Sequence, residues 1–178
     1  MKRYVTDFME YVGDDPARAS LADTPGRVLR SWDKLFGGYR QDPARIFRFF
    51  ECPENSDIVI LKNIDFYSTC EHHLLPFFGE LHIGYLPDGK ITGISKLARL
   101  AELHARRLQL QERLVSDIAD DIEKFLEPRG VIVTAQAQHF CMTSRGVQKQ
   151  RTKMVATAAR GLFKQQAHRA EFFSLLGL

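Results

Sequence analysis

Apolar side chains recur at helical spacing near the amino terminus, where Tyr4, Val5, Phe8, Met9 and Val12 form one stripe that Gly13-Asp14-Asp15-Pro16 stops. A second stripe, Val28, Leu29, Trp32, Leu35 and Phe36, follows Asp23-Thr24-Pro25, a cap residue with proline at the first helical position, and ends at Gly37-Gly38. Residues 38–56 have no clear period, and Phe47, Phe49 and Phe50 are expected to anchor an irregular segment there. From Ile58 the period drops to two: Ile58, Ile60, Ile64 and Phe66 alternate with Val59, Leu61, Asn63 and Tyr67, which predicts a strand. Phe77 to Leu86 alternates again, with Leu81, Ile83 and Tyr85 opposite Glu80 and His82, before the turn Pro87-Asp88-Gly89. Ser95 is placed to cap a helix from about Lys96, and Leu114, Ile118, Ile122 and Phe125 mark another before Pro128-Arg129-Gly130. A further strand is expected over residues 131–141. Residues 152–163 stay open between helix, favoured by Ala156, Ala158 and Ala159, and strand, favoured by Met154, Val155 and Gly161. A short helix ending at Leu175-Leu176 closes the chain.

Composition narrows the class. The 178 residues suffice for one domain that buries about two thirds of its unfolded surface. A 44% apolar and 26% charged content is globular, without a disordered or fibrous bias. No apolar run is long enough to span a bilayer, and Met1-Lys2-Arg3 leads into Asp7 and Glu10 rather than a signal segment, so a soluble, cytoplasmic protein without a membrane partner is expected. Three widely spaced cysteines suit a reducing compartment better than a disulfide framework. A formal charge of +3 does not argue for nucleic acid as a partner. Two basic clusters, Arg99, Arg106, Arg107 and Arg113, then Arg145, Lys149, Arg151 and Lys153, fit either solvated faces or an anionic ligand such as a polyphosphate.

The candidate chemistry lies in Ser68-Thr69-Cys70-Glu71-His72-His73 and Gln138-His139-Phe140-Cys141-Met142-Thr143-Ser144-Arg145-Gly146. Cys70 and His73 are three apart, so one tight or helical turn brings thiolate and imidazole to one ion. Cys141 supplies a third ligand. Three protein ligands leave the fourth position open, as catalytic zinc requires. Taken singly, each cysteine also reads as a small buried hydrophobe and each histidine as an ordinary polar residue. The neighbours change that balance: His72 adjoins the first pair, and a strand through residues 131–141 would set His139 and Cys141 on one face, flanking the metal with a proton-transfer group.

Five ordered motifs together resemble the GTP cyclohydrolase I family over nearly the whole chain: Asp23-Thr24-Pro25-Gly26-Arg27, Ser68 to His73, Gly93-Ile94-Ser95-Lys96-Leu97-Ala98-Arg99, Gln109-Leu110-Gln111-Glu112-Arg113-Leu114, and His139 to Gly146. The resemblance implies an α+β tunnelling fold, an antiparallel four-stranded sheet in the order strand-strand-helix-helix-strand-strand, with an N-terminal helical region over 1–56 and a catalytic region over 57–178 within one domain. It makes residues 152–163 the fourth strand. A ring-forming homo-oligomer, a decamer of two pentamers, comes with it. Zinc is then held by Cys70, His73 and Cys141, with His72, His139 and Ser95 in catalytic positions. Gln111 and Glu112 hold guanine, and Arg27, Lys96, Arg99 and Arg145 bind the triphosphate of GTP, partly across subunits. The implied reaction opens the guanine imidazole ring, releases carbon 8 as formate and rearranges the ribose to give 7,8-dihydroneopterin triphosphate, in the one-carbon metabolism that builds tetrahydrofolate and other pterins. No nicotinamide or flavin is required. The short N-terminus implies no regulatory extension. This chain departs from the family pattern at Ala135-Gln136-Ala137-Gln138, where an acid is common, and at Gln148-Lys149-Gln150-Arg151-Thr152. Two rival readings are a non-catalytic zinc module, which would need a fourth ligand and has no use for His72 or His139, and a tunnelling-fold nitrile reductase, which uses a nucleophilic cysteine and reduced nicotinamide.

Overall fold

In a computed structural model that describes residues 1–177, the two N-terminal stripes become helices α1 (Lys2–Tyr11) and α2 (Thr24–Leu35). Proline stands in the first turn of α2, where its missing N–H leaves no bond unmade. Asp23 takes the N-cap position, but its carboxylate lies 3.5 Å from Arg27 Nη2 rather than capping a backbone amide. The two helices pack on each other and bury Val5 and Met9, while Tyr4, Phe8, Tyr11, Trp32 and Leu35 remain exposed. Two 3-10 turns, Gly37–Arg40 and Pro43–Arg45, and the short strand β1 (Phe49–Glu51) form the segment without a period. Of its three phenylalanines only Phe47 is an anchor, since Phe49 and Phe50 are exposed.

The chain continues through β2 (Val59–Cys70), β3 (Pro76–Leu86) and β4 (Lys90–Thr92), then α3 (Ile94–Ala105), β5 (Leu108–Gln109) and α4 (Gln111–Leu126). It ends with β6 (Gly130–His139), the single turn α5 (Phe140–Thr143), β7 (Met154–Gly161) and α6 (Gln166–Leu176). Strands β2, β3, β6 and β7 make the expected antiparallel sheet in that order, and residues 154–161 are strand. Two additions escape the sequence reading. Strand β5 lies parallel to β2 through Thr69↔Leu108 and Cys70↔Gln109, and β1 pairs with β4 in a separate ribbon. The cap of α3 is Gly93, in extended backbone, so Ser95 falls inside the first turn instead of preceding it.

The uninterrupted alternation expected for β2 is broken. Leu61 pairs with Ile83 and Ile64 with Leu81, so one extra residue is inserted on β2, and Asn63 takes up the bulge at φ 59°. Past the bulge the faces exchange. Val59 and Leu61 therefore join Ile64 and Phe66 on the main core, while Ile58 and Ile60 pack with Ile132, Phe163 and Phe172 in a second cluster. In the main core, Leu97 and Leu100 of α3 and Leu114, Ile118 and Ile122 of α4 meet Leu81, Ile83, Val131 and Val133 of the sheet. Each such side chain stabilises the fold by about 1.5–3 kcal/mol on burial. This packing fixes the ends of β2, β6 and α4 relative to one another, and the candidate site stands at those ends.

Candidate active site

Strand β2 delivers Cys70 at its last position, and the chain folds back at once. Cys70 N–H donates to the Leu75 carbonyl (2.8 Å) and Leu74 N–H donates to the Cys70 carbonyl (2.9 Å), with Leu74 in the left-handed region at φ 55°. That single turn carries His73 back over Cys70, so that Nδ1 lies 3.9 Å from Sγ. The turn is tied down from below: Glu71 N–H donates to the Gln109 carbonyl (3.2 Å), and the Glu71 carboxylate pairs with Arg113, whose Nε also donates to Gln109 Oε1 (2.7 Å).

Cys141 arrives differently from the sequence expectation. Strand β6 stops at His139, and Cys141 stands on the helical turn α5, whose Phe140 carbonyl accepts from Ser144 N–H (2.9 Å). A helical turn, not the period of a strand, brings it to the site. One ligand atom each from Cys70, His73 and Cys141 lies within 4.8 Å of the others. Ligands on a tetrahedral zinc with bonds of 2.0–2.3 Å stand roughly 3.6 Å apart, so small side-chain adjustments close the triad on an ion. Burial pushes the Cys141 thiol up from its ordinary range, and the neighbouring Cys70 pushes it further, while the Arg145 charge opposes both. A divalent cation between the sulfurs would reverse that balance, because it favours thiolate. The donor set and its convergence therefore fit a catalytic zinc site.

Beside the triad, His139 is locked in place. Its ring stacks on Phe77 at 4.6 Å between centroids and 4° between planes, and its Nε2 lies 2.8 Å from Gln111 Oε1. Burial holds its imidazole below the usual 6.5, and the Glu112 carboxylate pulls the other way. Glu112 itself is exposed in the first turn of α4 and makes no ion pair among the described residues, since its neighbour Arg113 is taken by Glu71. His72 is exposed, its ring edge-on to His73 at 6.1 Å. Gln111, by contrast, is buried, and its amide is wholly occupied by protein groups.

Packing sorts the basic clusters that the sequence left open. Arg106 pairs with Glu102 (2.6 Å) and Arg107 donates to the Gly38 carbonyl (3.1 Å), so both are structural. A side chain at Gly38 would put its Cβ 1.9 Å from the Leu103 carbonyl oxygen; only glycine allows this approach. Lys96 and Arg99 make no ion pair among the described residues and line a cavity of about 730 Å³ with Arg40 and Arg45. Those last two cations were not singled out in the sequence, where residues 38–56 show no clear period. Arg27 is on α2, paired with Asp23, and Ser95 is exposed. None of Cys70, His73 and Cys141 lines this cavity.

The chain is similar to known proteins over nearly its whole length. A family model described as GTP cyclohydrolase I matches residues 1–177. The protein named GTP cyclohydrolase 1 from Wolinella succinogenes is 52% identical over 174 residues, covering 97% of this chain and 93% of that protein. Its namesake from Geobacillus kaustophilus is 50% identical over 170 residues, with coverages of 94% and 90%, and that of Helicobacter pylori strain J99 is 46% identical over 181 residues, with 99% of each covered. Among solved structures, the archaeosine synthase QueF-Like in its apo form matches with a TM-score of 0.51 at 19% identity, over 61% of this chain and 97% of that one, a likeness of fold alone. Motifs, metal triad and near full-length similarity converge, and the chain belongs to the GTP cyclohydrolase I family.

Proposed function

We infer that this chain is a GTP cyclohydrolase I, a hydrolase that opens the imidazole ring of GTP, releases formate and forms 7,8-dihydroneopterin triphosphate. The observation that carries the reading to the site is the convergence of Cys70, His73 and Cys141 within 4.8 Å beside the wedged His139. When bound by the triad, zinc would supply Lewis acidity, which lowers the pKa of water to about 7. The chain's own residues do the rest. His139 exchanges a proton with the ring being opened, a contribution of roughly 100- to 10,000-fold for a well-placed group. His72, exposed beside His73, is the second proton-transfer candidate, and Ser95 faces the ribose. Glu112, which has no ion-pair partner, accepts the N–H groups of guanine, with Gln111 beside it. Lys96, Arg99, Arg145 and Arg27 grip the triphosphate, where the planar guanidinium fork suits phosphate oxygens.

Separation of the cationic cavity from the metal triad supports sites completed between subunits, and the exposed Tyr4, Phe8, Tyr11 and Trp32 support burial of α1 and α2 in a homo-oligomer, a decamer of two pentamers. The described residues contain no helix long and apolar enough to cross a membrane, and all three cysteines are free, which supports work in the reducing cytoplasm. The product would enter tetrahydrofolate or other pterin synthesis.

The deciding experiment supplies zinc-loaded protein with GTP, without reductant, and measures formate and the fluorescent oxidised pterin. Stoichiometric formate is expected. A reaction that requires reduced nicotinamide and a nitrile would instead support the reductase reading suggested by fold.

A further inference from the structure

Gln111 is only 1% exposed, and its amide has no group to spare. Its Nε2 donates to the main-chain carbonyls of Ala135 (2.8 Å) and Met154 (3.0 Å), one on each of two neighbouring strands, while its Oε1 lies 2.8 Å from His139 Nε2. A flipped amide would set Oε1 against two carbonyl oxygens with no hydrogen between them, so the strands dictate which end faces the imidazole. An amide oxygen only accepts. The hydrogen in this contact must therefore sit on His139 Nε2, and Nδ1 is the ring nitrogen left for exchange. Phe77 closes the ring's face at 4.6 Å and keeps the imidazole in the plane of that bond.

We propose that Gln111 is a positioning residue, which locks His139 in the Nε2–H tautomer and so makes Nδ1 the atom that exchanges a proton with GTP, rather than a residue that grips guanine with its side chain. The inference rests on the reading of His139 as the proton-transfer group. The step balances through Nδ1, which carries no hydrogen in the resting tautomer. As the hydrated ring opens, the carbon 8 hydroxyl gives its proton to Nδ1 and becomes a carbonyl, the electron pair of the broken carbon 8–nitrogen bond stays on nitrogen, and Nδ1 passes that proton to it. Nε2 keeps its hydrogen throughout. The analogy is a carboxylate that holds a catalytic imidazole in its working tautomer, here replaced by a neutral amide whose own orientation is fixed by the sheet.

Two measurements test it. Nitrogen NMR of the full-length, zinc-loaded protein with 15N-labelled histidine should show neutral His139 as the Nε2–H tautomer; the Nδ1–H tautomer would overturn the inference whatever any variant does. Steady-state kinetics of Gln111→Leu should show kcat for GTP down by roughly 100-fold or more, with KM and zinc content close to native. If KM rises instead with kcat intact, and discrimination against inosine triphosphate is lost, Gln111 holds guanine and the proposal fails. His139→Ala separates the levels. Ring opening that survives in His139→Ala removes the underlying reading, whereas ring opening lost there but intact in Gln111→Leu removes this inference alone. Gln111→Met, close in volume and without an amide, should reproduce the kcat loss if the leucine variant fails to fold.

Discussion

Phe77 and His139 are register partners across β3 and β6, and their rings lie face to face within 4° of parallel. Because Phe77 is fully buried and also meets Phe66 edge-on at 5.9 Å, one side chain belongs both to the core and to the wall of the site. Phe77→Ala should cost about 3–5 kcal/mol of stability by opening a cavity. Phe77→Leu should cost less yet still lower kcat, since the imidazole loses its flat support. Denaturant midpoints and kinetics on the two variants check this, and a leucine variant with native kcat would show that the stack has no catalytic consequence.

Cys141→Ser should lose metal and activity together, because a neutral hydroxyl is a poor substitute for thiolate in a site of three ligands. Elemental analysis after dialysis reads the metal. Full zinc occupancy with normal turnover would remove Cys141 from the ligand set.

Arg99→Ala and Arg145→Ala should each weaken GTP by roughly 10-fold or more and leave guanosine nearly unchanged, since a lost charge-assisted hydrogen bond is worth about 1.5–3 kcal/mol and only the nucleotide carries phosphates. Calorimetric titration of both ligands supplies the comparison. Equal weakening of the two would place these cations away from the triphosphate.

Glu112→Ala should severely lower kcat/KM for GTP while zinc content and oligomer size stay native. Guanine presents a ring N–H and a 2-amino group side by side, and one carboxylate accepts both. A site built around such a pair can reject an analogue lacking the partner by ~10,000-fold. Turnover of GTP and of inosine triphosphate, which lacks the 2-amino group, should differ strongly in the native protein and little in the variant. Undiminished discrimination in Glu112→Ala would assign guanine recognition to another group.

Acidification should destabilise the fold through His82. Its Nδ1 accepts the Asn63 N–H at the β2 bulge (3.0 Å), and burial holds its imidazole below the ordinary 6.5, Glu80 opposing and Lys62 reinforcing the shift. Below 6.5 the unfolded chain takes up a proton that the folded chain still refuses, so stability is full above that pH and falls as pH drops through the depressed folded value. Burial of His139 adds a term of the same sign. Melting temperature between pH 7.5 and pH 5 should therefore decline, and His82→Gln, whose amide can still accept the Asn63 bond, should flatten the slope. An unchanged slope would show that His82 does not contribute.

Local chemistry in the sequence was enough for the long helices and for β2, β3 and β6, and it put Cys70, His73 and Cys141 forward together, whereas residues 152–163 stayed open until the family resemblance made them a strand. Periodicity names faces, and Cys70 with His73 needs only one turn to converge. Where a long-range approach decides the outcome, the sequence was silent. The bulge at Asn63 exchanges the faces of β2 only because Leu81 and Ile83 on the neighbouring strand hold both halves in register. Strand β5 exists because the end of α3 drops its chain beside Thr69 and Cys70. Gln111 entered only as a guanine-holding position implied by the family resemblance, and Arg113 only as one member of a basic cluster. Tertiary packing made the first a buried bridge between two strands and His139, and the second a tether for Glu71 in the turn between Cys70 and His73. Spacing along a chain carries contacts within a turn or along a strand; contacts between distant segments depend on how the whole core closes, and that is settled only by three-dimensional packing.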